Sequence, residues 1–251
     1  MLRTLSISMV PQRSLVPYVV LGAIALSIVW GLVASGMWND MLRYRKDVVY
    51  LTKQHLVLVG VSGSLAIVSG VALGICLSRP WMRRYAEATI QVVNMGTAIP
   101  TLGKLALIMT VLGIGALSAI VGLWIATLLP IIRNTYVGIR AVPHHLVDAA
   151  QGMGMSPTTI LRRVELPNAM FVIFAGVRTA MAINVGTAPI AFLIGGGGLG
   201  ELIFTGIDLQ EFGMMLAGAI PTALLAVAVD FVFGQAQYWL VPRGVNPLRA
   251  S

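Results

Sequence analysis

Long apolar runs alternate with shorter polar stretches along the chain. Six runs stand out, at residues 15–35, 56–78, 90–112, 114–132, 169–194 and 212–234. A hydrocarbon core about 30 Å thick takes roughly 20 apolar residues of helix, so each run can span a bilayer. A transmembrane β-barrel would instead show alternating segments of about 10 residues, and these runs do not alternate. The pattern predicts an all-α, polytopic membrane bundle of about six transmembrane helices. One transmembrane domain, 15–240, is expected between a tail at 1–14 and a tail at 241–251. The first run exceeds the 7 to 15 residues of a signal-peptide core, so it is expected to be retained as a span.

Helices in lipid associate through small residues that let backbones approach. Ser62, Ala66, Gly70, Gly74 and Ser78 recur every four residues in the second run, which predicts a packing face. Gly218, Thr222, Ala226, Asp230 and Gly234 repeat the device in the sixth. Pro100, Pro130, Pro189 and Pro221 are expected to break four runs, as neighbouring helices or a cavity permit.

Composition agrees with this picture and charge orients it. Apolar residues make up 57% and charged residues only 10%, against roughly one quarter charged in soluble domains. The net charge of +8 would suggest nucleic acid in a soluble chain; here the distribution matters more. Lys and Arg collect in cytoplasmic loops. With the N-terminus inside, Arg3, Arg13, Arg79, Arg83, Arg84, Arg133, Arg140, Arg162, Arg163, Arg243 and Arg249 fall inside. Only Arg43, Arg45, Lys46 and Lys53 fall outside, in a loop expected at 36–55. Both termini are therefore expected in the cytoplasm.

Several motifs fail when weighed. Gly195, Gly197 and Gly200 match G-x-G-x-x-G, but a dinucleotide fingerprint needs a strand before it and a helix after. Gly60, Val61, Ser62 and Gly63 read as an intramembrane serine-protease motif that lacks a base on another span. His55, His144 and His145 all stand in or beside polar loops. Gly103 and Lys104 do not complete a phosphate-binding loop, and the single Cys76 offers no disulfide framework. No catalytic residue, metal set or cofactor site is read from the chain.

The internal segment 133–168 is more informative. Pro143 is placed as the first residue of a short helix with Leu146, Ala150 and Met153 as its apolar stripe. Gly152 and Gly154 should end it. Ser156 and Pro157 are an N-cap and a first helical residue, opening a second short helix that Pro167 should stop near Glu165. A cytoplasmic helix-turn-helix elbow is the result, within 140–167.

Asp148, Ala149, Ala150, Gly154, Val164, Leu166 and Pro167 resemble, in type and spacing, the coupling loop of ATP-binding-cassette importer permeases. Asp stands for Glu and Val for Ile. The likeness runs over about 96–207 and is similar to permeases of quaternary-amine osmoprotectant importers, which carry glycine betaine, choline or carnitine. Methionine-type importers share the glycine-rich segment, and a methionine-type or other amino-acid-type importer is the alternative. The resemblance implies a type I importer permease fold in a bacterial inner membrane. It also implies cytoplasmic ATPase subunits, an extracytoplasmic substrate-binding protein and a second permease copy or paralogue as partners. The elbow would dock in a groove of the ATPase, where Ala149, Ala150 and Gly154 permit close approach. The chain would then be a transport subunit with no nucleotide chemistry of its own.

The resemblance also places the binding protein over 36–55 and 195–207. Gly195, Gly196, Gly197, Gly198 and Gly200 are expected to form an outer gate, since glycine adopts positive φ at little steric cost. No aromatic cage for a quaternary ammonium is legible in the spacing. A secondary transporter should show inverted repeats and paired intramembrane carboxylates; Asp230 is the one candidate within a run. Arg178 and Asp230 lie at similar depths, so they are expected to form one polar cluster that stabilises the bundle.

Overall fold

In a computed structural model of the chain, residues 30–249 are described except 32, 35 and 248. The helices are α1 (Met37–Arg43), α2 (Arg45–Ser78), α3 (Arg83–Ala98), α4 (Thr101–Leu112), α5 (Ala116–Arg140), α6 (His144–Gly152), α7 (Pro157–Ile160), α8 (Leu166–Thr187), α9 (Gly200–Asp208) and α10 (Phe212–Leu240). Among the described residues, four segments are long and apolar enough to cross a membrane: α2, α5, Pro157–Ile194 and α10. The pair α3–α4 adds a fifth if counted as one bent span. The expected first span, 15–35, falls almost wholly outside the described residues, as does the tail at 1–14.

Two expectations about these elements are corrected. The stretch 36–55 is helical, not a loop, because a buried stripe continues through its charged sequence: Leu51, His55, Leu58, Val59 and Ser62 are all buried on one face of α2. The run 90–112 is two helices bent by 94°. Proline disfavours the helical region for the residue before it, and Ile99 is accordingly extended at ψ 124° ahead of Pro100. Pro130 and Pro221, by contrast, sit inside continuous helices.

The core lies where α2, α5 and α8 meet. Ser62, Ala66, Gly70, Gly74 and Ser78 are all buried. Their smallness is required: a Cβ on Gly70 would stand 2.8 Å from Ile131 Cγ2, and one on Gly74 would stand 2.9 Å from the Ile132 carbonyl oxygen. From the other side, a Cβ on Gly176 of α8 would approach the Pro130 carbonyl to 2.8 Å. Ala66, Leu123, Ile131, Val177 and Ala180 fill the space between. Two polar pairs cross this seam, since burying a polar group without a partner is costly. The Ser62 hydroxyl donates to the Leu58 carbonyl at 2.7 Å and accepts from Asn184 Nδ2 at 2.9 Å, so it packs α2 to α8. Trp124 Nε1 donates to Ser69 Oγ at 2.9 Å and ties α5 to α2. The second small-residue stripe divides: Gly218 and Thr222 are buried, whereas Ala226, Asp230 and Gly234 are half-buried.

The connections set direction. Gly115 N–H bonds the Ile194 carbonyl at 2.9 Å, so the start of α5 meets the end of Pro157–Ile194. The turn between α5 and α8 therefore lies at the opposite end, about 37 Å away for the 25 residues of α5. Hereafter these are the glycine end and the elbow end.

Substituting Gly74 by Ala is expected to destabilise the bundle by about 1–3 kcal/mol, since overpacking a tight seam forces backbone shifts. Gly60→Ala, at a glycine with nothing within 4 Å, should leave stability unchanged or slightly raised. Thermal unfolding of the two detergent-solubilised variants checks the contrast.

Candidate functional site

The elbow is built from strong local signals. Helix α6 starts at His144 with Pro143 as its N-cap, one position earlier in role than the sequence suggests. Its end is a double hydrogen-bonded Schellman turn: Met155 N–H reaches the Ala150 carbonyl at 3.1 Å and Gly154 N–H the Gln151 carbonyl at 2.9 Å. Gly154 carries the required positive φ of 75°. Ser156 caps α7 by accepting from Thr159 N–H at 3.4 Å, with Pro157 in the first turn.

Pro167 does not stop the chain, contrary to expectation. A single π turn, Leu161–Glu165, carries α7 into α8. Proline cannot donate to, and clashes with, the carbonyl four residues back; the wider turn avoids that conflict. Asn168 Nδ2 then donates to the Val164 carbonyl at 2.7 Å.

The seven loop residues divide by exposure. Asp148, Ala149 and Gly154 are exposed at the knuckle, whereas Val164, Leu166 and Pro167 are half-buried at its root. Ala150 is 1% exposed, facing the chain itself. Of the apolar stripe expected on α6, only Ala150 is buried; Leu146 is 36% and Met153 69% exposed. His144 and His145 are exposed.

A brace that sequence reasoning missed anchors the elbow. Arg79, at the end of α2, places Nη1 2.8 Å from Glu165 Oε2, with side chains only 19% and 16% exposed. Arg79 Nη2 also donates to Ser78 Oγ at 2.9 Å. The partners are far apart in sequence, and no local periodicity links them. The available signal was Glu165 standing among apolar residues at a helix junction.

At the glycine end, Gly195, Gly197 and Gly198 have φ of 79°, 74° and 84°. Gly196, Gly198 and Gly200 are buried. A Cβ on Gly196 would come within 2.8 Å of the Ala191 carbonyl oxygen. This segment is a packed corner held by α2: Gly198 N–H donates to Gln54 Oε1 at 3.1 Å. His55, expected beside a loop, is fully buried next to Gly198. The stretches 36–55 and 195–207 are thus in contact. Tyr44, Tyr50, Asp47 and Glu201 from both line a depression of about 260 Å³.

Arg178 and Asp230 are brought together. Arg178 Nε and Nη2 each donate at 2.5 Å to one carboxylate oxygen of Asp230. The pair joins α8 to α10, but its side chains are 42% and 39% exposed, so it lies at the edge of the bundle, not within it. Among the described residues, no group of three or more His, Cys, Asp or Glu could hold a metal.

The binding-protein-dependent transport system inner membrane component family matches residues 65–244. The chain belongs to this family. It is a multi-pass inner-membrane permease, a transport component and not an enzyme. It is 47% identical to the osmoprotectant import permease protein OsmY of Salmonella typhimurium, over 82% of this chain and 88% of that protein. It is 39% identical to the choline transport system permease protein OpuBB of Bacillus subtilis, over 81% of this chain and 93% of that one. Among solved structures, the permease superposes on a chain of the MetNI methionine ABC transporter with a TM-score of 0.66. There the identity is 24%, with 78% of this chain and 96% of that chain covered. The fold is therefore that of an ATP-binding-cassette importer permease.

Glu165→Gln leaves the Arg79 guanidinium with little solvent and no counter-charge, at a cost of roughly 3 kcal/mol. The loss should be local to the elbow. Hydrogen exchange should accelerate over 144–165 and stay unchanged in the middle of α5; uniform acceleration would contradict a bracing role.

Proposed function

We propose that the permease forms the membrane path of an ATP-driven importer for small quaternary-ammonium osmoprotectants such as glycine betaine, choline or carnitine. The observation that carries this is the 47% identity to an osmoprotectant import permease over 82% of the chain. The 39% identity to a choline permease supports it. Energy comes from cytoplasmic ATPase subunits, and solute from an extracytoplasmic binding protein. A second permease copy or paralogue completes the path.

The elbow is the ATPase contact. Its exposed knuckle of Asp148, Ala149 and Gly154 is small enough for a helix to seat deeply in a groove. Its root is fastened to the spans by Leu166 and by Arg79–Glu165, so a displacement of the knuckle is carried into α8. The elbow end is the cytoplasmic one. Arg79, Arg84, Arg140, Arg162, Arg163, Arg243 and Arg249 lie at or beside it, against Arg43, Arg45, Lys46 and Lys53 towards the other end. That asymmetry follows the positive-inside rule, with both termini in the cytoplasm. The glycine end then faces outward, and its corner of 195–200 is the outer gate beside the binding-protein surface. The transmembrane domain runs 15–240, with cytoplasmic tails at 1–14 and 241–251.

Two outcomes are expected. Ala149→Trp, at an exposed position, should reduce co-purification of the ATPase about tenfold or more, because a lost close-packed contact of 1.4 kcal/mol is already a factor of ten. Its thermal stability should match wild type. Proteoliposomes holding the full complex with its binding protein should accumulate radiolabelled glycine betaine, choline or carnitine on ATP addition. Uptake of methionine and of none of these would transfer the substrate class to the amino-acid branch.

A further inference from the structure

We propose that the Arg178–Asp230 pair lines the aqueous solute path and selects solutes by charge, Arg178 taking a carboxylate and Asp230 a quaternary ammonium. The inference deepens the proposed function and rests on it for the identity of the solute, though not for the existence of the path.

The argument begins with placement. Both residues stand in segments long and apolar enough to span the membrane. Ionisable side chains at such depth face the bundle interior or a water-filled cavity, because exposure to lipid is costly. Within the single chain the pair is 42% and 39% exposed at the junction of α8 and α10, so it faces out of this bundle, towards water or the second permease copy. An open cleft adjoins it. A cleft of about 610 Å³ is lined by Phe171, Thr179, Ile183 and Gln237 together with the pair. A second cleft of about 360 Å³ is lined by Arg178, Phe231, Gly234 and Tyr238. The guanidinium thus borders two open spaces.

The chemistry of the lining suits this class of solute. A quaternary ammonium has no N–H to donate, so it is recognised by opposite charge and by the face of an aromatic ring. Asp230 and Phe171 supply both in one cleft. A carboxylate matches the two-pronged guanidinium of Arg178, which is now occupied by Asp230 alone. A zwitterion can therefore replace both halves of the ion pair at once, its carboxylate on Arg178 and its ammonium on Asp230. No charge is stranded in the membrane at any stage. When the solute leaves, the pair recloses.

The two single variants should consequently err in opposite directions. Arg178→Gln removes the carboxylate partner and leaves a free anion. In proteoliposomes carrying the full complex, its uptake of glycine betaine and carnitine should fall about tenfold or more, while choline uptake changes less than about threefold. Asp230→Asn leaves an unpaired cation, so choline uptake should fall most. An equal fall for all three solutes in both variants, with recovery in the charge-swapped Arg178→Asp, Asp230→Arg double variant, would show a purely structural bridge and overturn the proposal. Arg178→Lys, which retains the charge, serves if Arg178→Gln fails to assemble; it should keep choline transport and lose the zwitterions partially.

A second arm needs no solute. Thr179→Cys, made with Cys76→Ser in the assembled complex, should react with a charged, lipid-insoluble thiol reagent if the cleft holds water. Failure to react would overturn the path assignment. Should the wild-type complex carry none of the three solutes, the osmoprotectant reading falls, and reaction at position 179 still decides for or against the path.

Discussion

The structure depends on one constraint: α2, α5 and α8 pack so closely that their points of nearest approach admit only glycine, alanine or serine. Between apolar helices in lipid there is no hydrophobic gain to hold them, so contact and hydrogen bonding must serve. Gly70, Gly74 and Gly176 permit the approach. Ser62–Asn184 and Ser69–Trp124 lock it. A seam of this kind leaves little slack, because interiors packed at native density respond to displacement as units.

That rigidity links the two ends. The same helices that form the seam carry the elbow at one end and the glycine corner at the other. Helix α2 contacts both, through Arg79–Glu165 at the elbow and Gln54–Gly198 at the corner. In the functional reading, force applied at the knuckle reaches the outer corner through α2 and α8 without passing through a flexible joint. The corner belongs to the same packed body. Gly195, Gly197 and Gly198 take positive φ where the backbone turns against Ile114, Gln54 and His55, and this is a constraint as much as a freedom.

The proposed solute path lies where the seam is loosest. Helix α10 is buried along Gly218 and Thr222 but half-open from Ala226 to Gly234, and it is there that the ion pair faces the large cleft. A bundle tight throughout would conduct nothing. A polar pair at its edge is compatible with hydrocarbon only when protein, water or a matching solute covers it.

Much of this was legible in the amino-acid order. Bilayer-length apolar runs determined the fold class, because hydrocarbon admits only elements that satisfy their own backbone. Four-residue spacing revealed the α2 face, because helix periodicity is local. The Ser156–Pro157 cap and the Gly154 turn revealed the elbow, because caps and positive-φ turns are decided by neighbouring residues. Tertiary structure decided the rest. Hydropathy alone made 36–55 a loop, whereas packing of Leu51 and His55 makes it helix. Pro100 bends a span and Pro130 does not, although each disfavours the helical region for the residue before it, so the residue type alone does not settle the outcome. Arg79 found Glu165 across most of a hundred residues, and Arg178–Asp230 lies at the bundle's edge. Pairing and exposure of side chains distant in sequence are set only when the helices have chosen which faces to press together.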